Sequence, residues 1–188
     1  MIGTKQIDIF IICLLVALFL GVWCDRTLYW YLKRKDLPKT VIITMMITVV
    51  FLFFYGFTFS ALRCILLCQV LLVAGVCDRA TYEIPNGLHI LIAIVGLIHF
   101  QLFPALCGFF LVPLPFLIAA LKTEKIGGGD VKLMAVSGFA LGVTKGIDMM
   151  IWGLLIGFLW NAVFHKKNKR IPLAPFLAFG CFIVLLPI

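Results

Sequence analysis

The sequence predicts an all-α fold, a polytopic membrane bundle of about eight transmembrane helices. Three observations lead to it: an apolar composition, a series of long apolar stretches, and a bias of basic residues towards alternate loops. Of the 188 residues, 64% are hydrophobic and 13% are charged, whereas soluble domains have about 45–50% apolar and about 25% charged residues. No polar stretch is long enough for a second domain, so we expect one integral membrane domain over residues 1–188.

Eight apolar stretches follow one another, most of them near the roughly 20 residues that a spanning helix needs. The first is not followed by a small-residue cleavage site, so we expect a retained helix and not a signal peptide. The second and third are nearly fused around Ser60, and the sixth is short, which favours a tilted or partly re-entrant helix. The stretches cover residues 7–23, 41–59, 61–77, 88–103, 106–121, 133–143, 147–164 and 172–187.

The basic residues predict the orientation of these helices. Thirteen of the sixteen Lys and Arg residues lie in alternate loops, and cytoplasmic loops carry such an excess. We therefore expect these loops, with Asp78 and Asp130 among them, on the cytoplasmic side and both termini on the periplasmic side. Because the net charge of +8 is spread over short loops beside apolar stretches, its expected partner is anionic lipid and not nucleic acid.

The spacing of cysteine and histidine predicts neither disulfides nor a metal site. The seven cysteines are an odd number, and no Cys-x-x-Cys pair occurs among them. His89 and His99 lie near the ends of the fourth stretch, and His165 begins a basic loop, without the convergence that metal ligands need. We expect no metal and no cofactor, and we interpret the three histidines as polar residues at helix ends.

Asp78 is the first of two carboxylates at which a long apolar run breaks. An ionisable side chain at membrane depth is costly, and it is therefore a functional hypothesis. The break continues through Ile84, Pro85 and Asn86, where the proline disfavours helix before it and Asn-Gly favours a turn. Alone, this segment is as consistent with a plain cytoplasmic turn as with a functional site.

Asp130 is the second carboxylate, and it follows Gly127, Gly128 and Gly129. Glycine permits backbone geometry that other residues avoid and lets another chain approach closely. An acidic residue near a helix start is favoured by the helix dipole. The glycine spacing does not fit a phosphate-binding loop. Alone, the segment also fits a flexible hinge capped by an aspartate.

Together the two segments resemble the type IV prepilin leader peptidases, a family of membrane aspartic peptidases with a Gly-x-Gly-Asp motif. The resemblance covers the chain from about residue 66 onward, and the proline-containing segment 171–180 adds to it. The residues that carry it are Asp78, Ile84, Pro85, Asn86, Glu124, Gly127, Gly128, Gly129, Asp130 and Lys132.

This resemblance implies an enzyme that removes the short basic leader from type IV prepilins, or from pseudopilins of type II secretion, at the cytoplasmic face of the bacterial inner membrane. It maps the catalytic pair onto Asp78 and Asp130. Two close carboxylates share a proton and titrate as a pair, so one can take a proton from water while the other donates. The sequence leaves open which is the acid and which is the base. Glu83 and Glu124 are candidates for binding the basic leader, with plain loop solvation as the equal alternative.

One departure from the family concerns the loop after the first helix. Many members have a larger loop there, with two Cys-x-x-Cys pairs that bind zinc and are associated with N-methylation of the product. Here the loop covers about residues 24–40 and has one cysteine, Cys24. The sequence therefore predicts a short form of the peptidase, without N-methyltransferase activity.

Two other readings stay open. A non-enzymatic transporter, or a secretion or pilus assembly subunit, would have acids deep inside its helices and often repeated halves. Here both key acids lie at helix ends, and no repeat occurs. A presenilin-like or signal-peptide peptidase shares the glycine-aspartate motif but not the Ile-Pro-Asn turn. No oligomeric state follows from the sequence.

Overall fold

The computed structural model describes residues 4–33, 39–98, 100–123, 127–164 and 172–187. Within these ranges the chain forms eight helices and no strand, so the prediction of an all-α fold is confirmed. The helices are α1 (Thr4–Leu32), α2 (Val41–Tyr55), α3 (Phe59–Thr81), α4 (Asn86–Gly96), α5 (Leu102–Leu111), α6 (Leu114–Thr123), α7 (Gly128–Phe164) and α8 (Ala174–Leu185).

Several of these helices are long and apolar enough to cross a membrane. Among the described residues, three segments meet both criteria: Phe59–Thr81, Leu102–Lys122 and Gly128–Phe164. The second of them contains both α5 and α6, which are separated only by Val112 and Pro113. Three further apolar helices are shorter, at 10–17 residues. The chain thus has the helices of a membrane protein, while the count of eight crossings stays a prediction.

The sixth and seventh apolar stretches are two helical segments of α7 that meet at Gly142, so the predicted break is present, although as a single residue and not as a loop over residues 143–147. Gly142 has φ 79° and ψ −178°, and a Cβ on Gly146 would lie 3.3 Å from Gly138 Cα, so the chain turns back sharply at this point. A positive φ of this size is readily adopted only by glycine. The change of direction therefore takes place at a single residue, and Lys145 lies in a helix instead of a loop.

The chain divides into two compact units, residues 1–65 and residues 66–188. In the first unit, α1 continues to Leu32, so residues 24–32 are helical and not part of the loop that the sequence predicts. The described link to α2 is fixed by Asp25, whose carboxylate accepts hydrogen bonds from the Thr40 N–H at 3.0 and 3.2 Å and from the Thr40 hydroxyl. Asp25 thereby joins the C-terminal part of α1 to Thr40, the residue that precedes α2.

In the second unit, α7 packs against neighbouring helices through glycines. A Cβ atom placed on Gly108 of α5 would lie 2.7 Å from the carbonyl carbon of Gly138 on α7, so the two backbones touch directly. Further along α7, a Cβ on Gly153 would lie 3.0 Å from Leu177 Cα on α8. Dispersion increases steeply as atoms reach contact distance, so these contacts hold α5 and α8 close to the helix that begins beside Asp130.

Candidate active site

Asp78 lies in the last turn of α3, with only 6% of its surface exposed. The helix ends shortly after it because Tyr82 adopts a positive φ of 56°, which lies outside the right-handed helical region. The Tyr82 N–H still donates to the Asp78 carbonyl at 2.8 Å. Thr81 closes the turn, because its hydroxyl accepts from the Glu83 N–H at 3.3 Å. Pro85 then precedes α4, as its fixed φ allows.

Asp130 lies in the first turn of α7, where its N–H donates to the Gly127 carbonyl at 3.0 Å. The helix begins at Gly128, so two of the three glycines are helical and do not form the loop expected from the sequence. None of the three has a positive φ, so that part of the expectation was wrong. A Cβ on Gly128 would meet nothing within 4 Å, and one on Gly129 would be 3.8 Å from Ile84. The absence of side chains therefore leaves the backbone of this segment accessible.

The ends of α3 and α7 meet in an open cleft of about 310 Å³. Both Asp78 and Asp130 line it, and the two carboxylates are close enough to interact electrostatically. Most of the site residues predicted from the sequence line it with them, whereas Glu124 lies outside the described residues. The lining residues are Asp78, Tyr82, Glu83, Ile84, Asn86, Gly127, Gly128, Gly129, Asp130 and Lys132.

Polar contacts join the walls of this cleft. Lys132 Nζ on α7 donates to Asn86 Oδ1 on α4 at 3.5 Å. His89 is buried, and its Nε2 lies 3.2 Å from the Gly129 carbonyl oxygen. A carbonyl oxygen only accepts, so Nε2 carries the proton in this contact. His89 is a polar residue in the first turn of α4, as predicted, and it also joins α4 to the residue before Asp130, which the sequence did not predict.

Asp78 also has a partner that sequence reasoning missed. Its Oδ2 accepts a hydrogen bond from the backbone N–H of Ala174, the first residue of α8, at 3.0 Å. The α8 backbone approaches this closely because Gly75 lies one turn before Asp78. A Cβ there would be 2.9 Å from Pro175 Cα. The signal in the sequence was the pair of prolines around this segment, which contributed to the family resemblance but did not predict a contact with Asp78.

The site fits chemistry that uses carboxylates and water. Within the ranges that the structure describes, no three His, Cys, Asp or Glu side chains form a group that could hold a metal ion. The cleft residues include no Ser, Thr or Cys that could serve as a nucleophile. What the cleft offers is two adjacent carboxylates, one acidic and one basic exposed side chain, Glu83 and Lys132, and a bare stretch of backbone.

Comparison with known proteins agrees with this arrangement. The sequence model of the type IV leader peptidase family matches residues 64–164, which contain both aspartates and more than half of the chain. The prepilin leader peptidase/N-methyltransferase of Bacillus subtilis (strain 168) is 29% identical over 147 residues. That match covers 70% of this chain, and the chain spans 58% of the relative's length. No solved structure gives a significant match. The chain belongs to the type IV leader peptidase family.

Proposed function

We propose that this chain is an aspartic endopeptidase that removes the short basic leader from type IV prepilins or pseudopilins. The observation that carries the proposal is the shared cleft of Asp78 and Asp130, formed by two helix ends that are far apart in sequence. Family membership supports a role in processing prepilins. The relative that matches the chain is itself named as a prepilin leader peptidase.

The reaction needs only the two carboxylates and one water molecule. The ionised aspartate takes a proton from the water while its oxygen attacks the scissile carbonyl carbon. The protonated aspartate donates to the carbonyl oxygen as negative charge develops there. In the second step the C–N bond breaks, and the leaving amine receives the proton that the first aspartate had taken. At the same time the second aspartate takes back its proton from the hydroxyl group of the tetrahedral intermediate, whose oxygen becomes the carbonyl oxygen of the new carboxyl group. The pair then holds one proton again, so each cycle consumes one water and no cofactor.

Recognition of a basic leader is supported by the charge of the cleft wall. Glu83 is exposed beside the two aspartates, and it can pair with a lysine or arginine of the leader. Glu124 remains a second candidate from the sequence alone. Substrate would approach along Gly127, Gly128 and Gly129, where no side chain obstructs an extended peptide.

We place the reaction at the cytoplasmic face of the bacterial inner membrane. The proposal is supported by the excess of Lys and Arg in alternate loops, the set to which the sequence assigns both aspartates. It puts both termini on the periplasmic side. We propose peptidase activity without N-methyl transfer, because the link between α1 and α2 has no Cys-x-x-Cys pair.

Co-expression with a prepilin, followed by mass spectrometry of its N-terminus, tests the proposal. We expect the native chain to release the leader, and Asp78→Asn and Asp130→Asn each to abolish release, because each removes one half of the proton exchange. Asp148→Asn is the matched control, since Asp148 is exposed on the same helix α7 but does not line the cleft. The same spectra report whether the new N-terminus is methylated.

Normal cleavage by either cleft variant would exclude the dyad. An intact precursor in the presence of native, membrane-inserted protein would favour the non-enzymatic alternative, a transporter or an assembly subunit.

A further inference from the structure

We infer that the start of α8 is a positioning element that holds Asp78 as the ionised base of the pair and leaves Asp130 as the acid. The inference rests on the proposed function and assigns the two roles that the sequence left open. It is carried by two contacts of α8, one to the carboxylate of Asp78 and one to the helix that bears it.

The first contact is the hydrogen bond between Asp78 Oδ2 and the Ala174 N–H at 3.0 Å. The first N–H groups of a helix have no partner inside it, and they carry the positive end of the helix dipole. The Leu173 N–H interacts with the same carboxylate. Because these donors are backbone groups of a 12-residue helix, they cannot rotate away from Asp78 as a side chain could.

The second contact is the close approach of α8 to Gly75. A side chain at this position would lie 2.9 Å from Pro175 Cα and 3.1 Å from Pro175 N, both backbone atoms. Gly75 and Asp78 are three residues apart in α3, so they lie on the same helix face. The glycine therefore sets how near the Ala174 N–H comes to the carboxylate.

The two aspartates differ in how their negative charge is stabilised. Asp78 accepts the N–H groups of Ala174 and Leu173 at the start of α8, which offset the cost of burying its charge, whereas Asp130 accepts one backbone N–H, that of the adjacent Gly127. Each hydrogen bond to an ionised group favours the ionised form, so two donors favour it more than one. Once Asp78 is ionised, its charge disfavours ionisation of Asp130. The pair therefore keeps its proton on Asp130.

Other charged groups near Asp78 do not reverse this order. Helix α8 contributes backbone donors only, because its described residues include no acidic or basic side chain. Lys132 is exposed and bonded to Asn86, and Arg79 is exposed at the end of α3. The ionisable side chains that share the cleft with Asp78, or interact with it from α3, are Tyr82, Glu83, Asp130, Lys132 and Cys77.

The pH profile of leader cleavage tests the assignment, with purified protein in detergent and a prepilin substrate. Gly75→Ala pushes the α8 backbone away from α3. Ala174→Pro removes the donor itself, at the first helical position, where proline is best tolerated. In both variants we expect the acidic limb of kcat/KM to move up by about one pH unit, because a hydrogen bond to the ionised form is weakened. The basic limb should stay in place.

Gly153→Ala is the matched control. Its Cβ would be 3.0 Å from the Leu177 backbone, so it crowds α8 to a similar degree one turn further along. We expect this variant to unfold at a lower temperature with an unchanged pH profile. Gly75→Ala would give the same result if Gly75 were important for packing alone. Two test variants are used so that, if one of them folds poorly, the pH profile of the other still tests the inference.

An acidic limb that does not move in the folded test variants overturns the inference, and so does movement of the basic limb alone, which would make Asp78 the acid. An inactive native protein would instead defeat the proposed function. The two failures are thereby distinguished within one set of measurements.

Discussion

The contact between α5 and α7 gives the sharpest prediction about the stability of the site. Gly108 and Gly138 meet backbone to backbone, and a Cβ on Gly108 would lie 2.7 Å from the Gly138 carbonyl carbon. Ordinary van der Waals contacts begin at 3.4 Å, so Gly108→Ala requires the helices to separate by at least 0.7 Å at this point. No rotamer change relieves the clash, because the backbone fixes the position of the alanine Cβ and the Gly138 atoms that it meets are main chain.

The loss of stability caused by Gly108→Ala should lie at the upper end of the range for overpacked protein interiors. Overpacking typically costs about 1–3 kcal/mol, and the low values belong to sites where side chains can yield. We therefore expect a loss of about 3 kcal/mol in the free energy of unfolding. For a chain of this size, each kcal/mol lowers the unfolding temperature by about 2–4 °C, which gives a decrease of about 6–12 °C.

Thermal unfolding in detergent measures this decrease. A thiol-reactive fluorophore suits the protein, because Cys68, Cys77 and Cys181 are buried and become reactive as it unfolds. Gly87→Ala is the control, since a Cβ there would meet nothing within 4 Å. An unfolding temperature for Gly108→Ala within about 2 °C of that control would refute the backbone contact. Adding Gly138→Ala should cost less than in the native background, because the helices have already separated.

Three further predictions concern polar groups. His89→Phe removes the donor to the Gly129 carbonyl, so we expect a loss of about 1–3 kcal/mol in stability and slower cleavage with little change in KM; an unchanged kcat would argue against a positioning role. Glu83→Gln should raise KM for a basic leader by a few fold, because an exposed ion pair with the leader contributes at most about 1 kcal/mol, and it should leave the unfolding temperature unchanged. Equal KM values for the variant and the native protein would exclude leader binding by Glu83. Asp25→Asn weakens the acceptor for Thr40 and should speed hydrogen exchange of the Thr40 amide, which mass spectrometry detects.

Local chemistry in the sequence was enough to predict the helices and to single out Asp78 and Asp130. The apolar stretches are close to a membrane's thickness, and helix is the usual way to satisfy a backbone in lipid. The two aspartates stood out because each interrupts such a stretch. The orientation of the helices, the number of crossings and the catalytic roles stay predictions.

Features that depend on distant contacts were not predicted. Ala174 is 96 positions from the carboxylate that it contacts, and His89 is 40 positions from Gly129. Nothing in the local sequence of Gly75 distinguishes it from a glycine that merely tolerates a helix. The break between the sixth and seventh stretches was predicted, but its form was not, because the charge at Lys145 suggests a loop while the backbone turns at Gly142, three residues earlier.

Two glycines near the cleft are sites where helix backbones come close together. Gly75 lets the start of α8 reach Asp78, and Gly108 lets α5 lie directly against α7, which begins beside Asp130. Both glycines fix a distance between backbones, and neither has a positive φ. Gly127, Gly128 and Gly129, in contrast, line the cleft, where an absent side chain leaves room for a peptide. Alanine at the first two positions should therefore change the geometry of the acids, whereas alanine at Gly128 should obstruct the substrate and raise KM without altering the pH profile.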